Sequence, residues 1–175
     1  MGLRYLKLIA AFLVALCFTL TGLPQNVLTS PRLPAAMAQP QVAEQIYDQG
    51  LQFYRQQAYP QAVDAFVAAA DAAVASNNAS LAAEAQYQLG RTYHQLGRYD
   101  SAINEYQTSL ELWQTLAPRY SGTDLAAIET NQALVITGMG RSLRSQVRYP
   151  QARQHYDRAL ALHTRLGNRR EQAIV

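Results

Sequence analysis

Two hydrophobic patterns divide this chain. An unbroken apolar run extends from Leu8 to Leu23, whereas from about residue 42 onward apolar and small residues recur at helical spacing, as at Ile46, Gly50 and Phe53. Such recurrence predicts amphipathic helices, each with one buried face. Punctuation residues set the expected limits. The first helix should run from about Val42 to Gln56, and an alanine-dominated second from Pro60 to about Ala75, stopped by Asn77-Asn78. The third should start at Ser80 as its cap and reach about Gln95; the fourth should run from Asp100 to Leu116, where Pro118 blocks continuation. A turn at Ser121-Gly122-Thr123 with Asp124 as cap opens a long fifth helix to about Gln146, and a sixth spans Pro150 to about Arg165.

The helices are linked by a repeated phrase. It reads Gln57-Ala58-Tyr59-Pro60-Gln61-Ala62, then Leu96-Gly97-Arg98-Tyr99-Asp100-Ser101-Ala102, then Val147-Arg148-Tyr149-Pro150-Gln151-Ala152. Four residues after the three alanines stand Phe66, Tyr106 and Tyr156, and a small residue recurs at Ala69, Ser109 and Ala159. Gly50, Gly90 and Gly140 each lie nine residues before the tyrosine of their phrase. Helices approach closely only where their crossing residues are small, so each glycine is expected to face the alanine of its unit while the aromatics fill the wider gaps. Pro60 and Pro150 suit a first helical turn, and Asp100 is expected to cap at the same place.

A glycine, aromatic, alanine, aromatic and small residue in this order resembles the tetratricopeptide repeat, a helix-turn-helix unit of about 34 residues. The resemblance covers residues 43 to 166. It implies an all-α fold, a right-handed superhelical array of antiparallel helix pairs. Repeats would occupy about 43–78, 83–117 and 124–166 of a domain spanning 39–175, with a fourth beginning at 168–175. The stretch from Tyr87 to Leu112 is similar to the extended repeats of bacterial exported arrays, some of which continue into caspase-like protease domains; the chain contains no such domain. Glycine spacing grows from 40 residues to 50 before the third unit, which predicts that the fifth helix is lengthened and projects past its neighbours.

The first 38 residues have another character. Arg4 and Lys7 precede the apolar run, and Ala36-Met37-Ala38 places small residues where a signal peptidase reads, so export to the periplasm or beyond with cleavage near Ala38 is expected. An uncleaved membrane anchor is the alternative, although a 16-residue helix spans about 24 Å against a hydrocarbon core of roughly 30 Å. A lipoprotein signal ending at Cys17 is disfavoured by the bulky Leu16. Arg4, Lys7 and Arg32 account for the whole net charge of +3, leaving 12 arginines against 12 acidic residues. The basic pI therefore belongs to the leader, and nucleic-acid binding is not expected.

Little catalytic chemistry remains. The only cysteine and the only lysine, Cys17 and Lys7, lie in the leader, which removes disulfides, thiolate sites, Schiff bases and a P-loop lysine from the helical part. His94, His155 and His163 have no carboxylate at ligand spacing, so no metal and no cofactor is expected, and the three are read as solvated surface residues. Gly138-Met139-Gly140 falls inside a helix and is read as a packing motif. Asn78-Ala79-Ser80 matches a glycosylation sequon, to which no role is assigned.

The tetratricopeptide resemblance implies a concave face lined by the first helix of each pair and used for proteins or peptides. Counting from the framework glycines, it places Tyr47, Leu51, Tyr54 and Arg55, then Tyr87, Arg91, His94 and Gln95, then Thr137, Arg141, Arg144 and Ser145 on that face. The groove would be aromatic at one end and cationic at the other, suited to a segment bearing an apolar side chain and a carboxylate, with Glu44 and Glu84 offsetting part of the charge. Arg91 and Arg141 stand where the family's carboxylate clamp wants asparagine, so that subfamily's partners do not transfer. The expected function is non-catalytic protein binding. The alternatives are a truncated regulatory segment of a larger enzyme, since the last helix looks unfinished, and an assembly factor that self-associates through its ends.

Overall fold

The computed structural model describes residues 40–167. The expected leader and the expected start of a fourth repeat lie outside them. The described residues form α1 (Pro40–Arg55), α2 (Tyr59–Ala75), α3 (Ala79–Gln95), α4 (Tyr99–Leu116), a 3-10 turn (Ala117–Arg119), α5 (Gly122–Ser145) and α6 (Tyr149–Arg165), with no strand among them. This is a tetratricopeptide-like all-α solenoid. Each helix packs on the next in sequence; α1 also touches α3 and α3 touches α5, while no such contact joins α2 to α4 or α4 to α6. The odd-numbered helices therefore converge on the inner side of the stack.

The same turn joins most of the helices. Gln57, Asn77, Gly97 and Val147 take φ values of 59°, 56°, 71° and 63°. Each ends its helix by returning backbone N–H groups to the last turn: Gly97 donates to the His94 carbonyl at 3.0 Å and Arg98 to that of Tyr93 at 2.9 Å. Carbonyls that a helix end leaves open are thereby satisfied. Because this turn re-enters a helix within two residues, α2, α4 and α6 start at Tyr59, Tyr99 and Tyr149, one residue before the expected start. Asp100 is consequently not a cap. Arg98 holds that place without a side-chain bond, and Asp100, already in the first turn, accepts from Gln146 Nε2 at 2.7 Å. Likewise Asn78 rather than Ser80 caps α3, its Oδ1 accepting from the Leu81 N–H at 3.1 Å. Ser121 precedes α5 without a side-chain bond, and Asp124 lies in its first turn.

The framework glycines meet rings first, and at Gly90 the backbone carbonyl of the expected Ala102 as well. A Cβ on Gly50 would stand 2.6 Å from Phe66, one on Gly90 2.7 Å from Tyr106, and one on Gly140 2.7 Å from Tyr156. The aromatic one turn beyond the alanine lies flat over the glycine, and the alanine, fully buried at Ala62 and Ala102, sets the helix separation around it. Gly138 is open for the same reason on the opposite side: its Cβ would be 2.7 Å from the far end of Tyr106. The Gly138-Met139-Gly140 motif thus seats two tyrosines, one from the preceding unit and one from its own. Ser109 is fully buried and donates to the Ala83 carbonyl at 2.7 Å, tying α4 to α3.

Tyr149 departs from the expectation that the phrase tyrosines fill gaps, being 60% exposed. Tyr59 and Tyr99 pack on the rings of Tyr54 and His94, with centroids 5.6 and 5.3 Å apart, whereas the matching place in the third unit is Arg144. The long α5 keeps its extension covered: Ile128 joins Trp113 and Leu116 in the main core, and Glu129 pairs with Arg165 of α6.

Candidate functional site

Helices α1, α3 and α5 enclose a cleft of about 180 Å³. Its walls include Tyr54 from α1, then Tyr87, Arg91, His94 and Gln95 from α3, then Thr137 and Arg141 from α5, all groove positions in the sequence reading. Tyr106, Leu134, Gly138 and His163 complete it and were not read as groove positions. Tyr106 and His163 come from second helices of their pairs and reach through the inner layer, which a count along first helices does not register; Tyr106 is admitted by the gap at Gly138. The other expected residues lie elsewhere. Leu51 and Tyr47 pack with Phe66 and Leu89, and Arg144 is exposed outside the cleft.

Arg91 is the best-positioned cation. Its guanidinium carbon lies 4.8 Å from the Tyr54 ring centroid and 5.8 Å from that of Tyr87, and one of its nitrogens donates to Gln88 Oε1 at 2.8 Å. Stacking on aromatic faces and a hydrogen bond hold the fork without a carboxylate. Among the described residues neither Arg91 nor Arg141 has an acidic group within 4.0 Å, and no Asp or Glu lines the cleft. Glu44 and Glu84, expected to offset part of this charge, line a neighbouring recess with Tyr47 and Asp48.

The histidines are not solvated surface residues. His163 is 1% exposed, His94 and His155 are half-buried, and Nδ1 of His94 is 3.1 Å from Ser142 Oγ. Burial holds the His94 imidazole below its usual pKa, and the guanidiniums of Arg141 and Arg144 lower it further. His155 is lowered by burial and then by Arg158. Burial pushes the Tyr106 phenol well above its usual range, so it stays protonated and able to donate. Among the described residues no three of His, Cys, Asp and Glu gather as a metal site, and no helix is long and apolar enough to cross a membrane.

The family comparison decides the nature of the array. Residues 42–115, which carry α1 to α4 but for the ends, match the tetratricopeptide repeat family model. Those residues are similar to tetratricopeptide repeats. The pair α5 and α6 continues their geometry, with the same glycine-on-ring contact at Gly140 and Tyr156. Among solved structures the fold is similar to the crystal structure of BtubC (BKLC) from P. vanneervenii, with a TM-score of 0.65 and 16% identity. The match covers 75% of this chain and 50% of that one, so the chain spans about half the length of that neighbour. No curated protein matches the chain. Tetratricopeptide repeats generally mediate protein–protein interaction and typically do so without catalysis.

Proposed function

We propose that this protein is a non-catalytic interaction module whose inner face, formed by α1, α3 and α5, takes a peptide or partner helix bearing an acidic or carboxylate group. The cleft between Arg91 and Arg141 is the observation that supports this reading: two guanidiniums, aromatic walls and no acidic lining. A carboxylate entering there gains charge-assisted hydrogen bonds in a partly dry setting. Small-molecule sites usually measure about 300–1,000 Å³, and 180 Å³ admits one side chain of a longer ligand lying outside.

The test starts from a random dodecapeptide library displayed on phage and selected on the full chain. The enriched peptide is then titrated against the wild type and the double variant Arg91→Glu/Arg141→Glu by calorimetry. The reading expects enrichment of acidic peptides and a loss of about tenfold in affinity, as expected for two charge pairs of which Arg91 is half-buried and Arg141 exposed. Equal affinity for both proteins, with helicity preserved, would remove the cleft from the binding surface.

A further inference from the structure

The charges on the inner face are sorted along the helix axes. Glu44 and Glu84, in the first halves of α1 and α3, line one recess with Asp48 at the middle of α1; two turns beyond Glu84, Arg91 lines the cleft together with Arg141 of α5. Seven residues separate Glu84 from Arg91 on α3, and seven separate Leu134 from Arg141 on α5. At 1.5 Å per residue each interval is about 10 Å, too long for direct pairing. Among the described residues none of these acidic or basic groups has an opposite charge within 4.0 Å. The helix dipole does not account for the arrangement, since it acts within the first and last turns and both Glu84 and Arg91 lie inside α3.

The cationic end is held in place, whereas the acidic end is free to meet a partner. Arg91 is fixed between two tyrosine rings. Glu84 is half-buried with no hydrogen-bond partner, and burial raises its pKa; a carboxylate kept partly out of water gains more from an incoming cation than a solvated one does. A small hollow of about 20 Å³ lies between the two regions, lined by Glu84, Tyr87, Trp113, Asn131, Leu134 and Val135.

We propose that the groove has two electrical poles and selects an extended segment carrying a basic residue two to four positions from an acidic one. The basic residue meets Glu84 and its recess, and the acidic one enters between Arg91 and Arg141. The spacing follows from the geometry: an extended chain advances about 3.3 Å per residue, so an interval of about 10 Å corresponds to three residues. This rests on the groove-binding reading above and adds the requirement for the cation and its distance. Uncharged or purely acidic segments leave Glu84 without a partner, so the acidic recess acts against them.

The same dodecapeptide selection tests it when the sequences are read for charge spacing and repeated on Glu84→Arg. On the wild type, enriched peptides should pair a basic with an acidic residue two to four positions apart; on Glu84→Arg the basic residue should be replaced by an acidic one. A labelled wild-type winner should bind Glu84→Gln about fivefold more weakly, as expected for one partly exposed charge pair. Glu84 makes no hydrogen bond or ion pair, so these variants should keep the wild-type circular dichroism. Were helicity lost, the spacing found on the wild type alone would decide. Winners that are acidic only, with Glu84→Gln binding unchanged, would overturn the two-pole groove and leave the cationic cleft standing. No enrichment on any form would overturn both.

Discussion

Val147 shows how a single backbone angle limits this array. It holds φ at 63° with its side chain 66% exposed, so a β-branched residue carries left-handed strain and gains no burial in return. Val147→Gly should therefore stabilise the protein by about 1 kcal/mol in urea denaturation; a loss of stability would show that the turn is not strained. Gly90 is the opposite case. Its missing Cβ would lie 2.7 Å from the Tyr106 ring and 3.1 Å from the Ala102 carbonyl, so Gly90→Ala should cost about 1–3 kcal/mol, against about 1 kcal/mol gained at an open helical site. His94 adds a pH signature. Its folded pKa lies below the unfolded value of about 6.5, so the unfolded chain takes up more protons as the medium is acidified. The stability associated with neutral His94 is full above pH 6.5 and is lost as pH falls below it. The stability difference between wild type and His94→Gln should therefore shrink from pH 7 to pH 5; a constant difference would contradict the assigned burial.

At the scale of elements, helix type and order were legible in the sequence because apolar spacing, proline and the glycine-aromatic-alanine phrase all pointed to the same units. The ends were harder to read. Ser80 and Asp100 are good capping residues by type, yet the left-handed residues Asn77 and Gly97 end the preceding helices so tightly that Asn78 and Arg98 already occupy the cap positions. Asn78→Ala should accordingly cost about 1 kcal/mol while Ser80→Ala costs much less, measured by thermal melts of the two variants. Which small residue meets which large one was also hidden, because a ring can lie over a glycine one turn away from the alanine that sets the spacing. The Gly138 contact with Tyr106 joins units 32 residues apart in sequence, and nothing in a single repeat's pattern distinguishes it from an ordinary helical glycine.

On the scale of the whole molecule, the inner face follows from convergence of α1, α3 and α5, and seven of the twelve first-helix positions counted from the glycines line the cleft, because repeat geometry fixes their direction. His163 and Tyr106 escaped that reading because they enter the cleft from the outer helices, through gaps set by three-dimensional packing. The separation of charge into two regions was equally invisible, since proximity along the chain suggested that Glu84 would offset Arg91 when about two helical turns keep them apart. The central claim is that binding occurs on this inner face. Amide hydrogen exchange of the full chain, with and without the enriched peptide, tests it most directly. The account predicts slowed exchange in α3 and α5 around Glu84–Gln95 and Leu134–Arg141, with α6 unchanged on its exposed side near Tyr149 and Leu160. Protection confined to α6, with the inner helices unaffected, would contradict it.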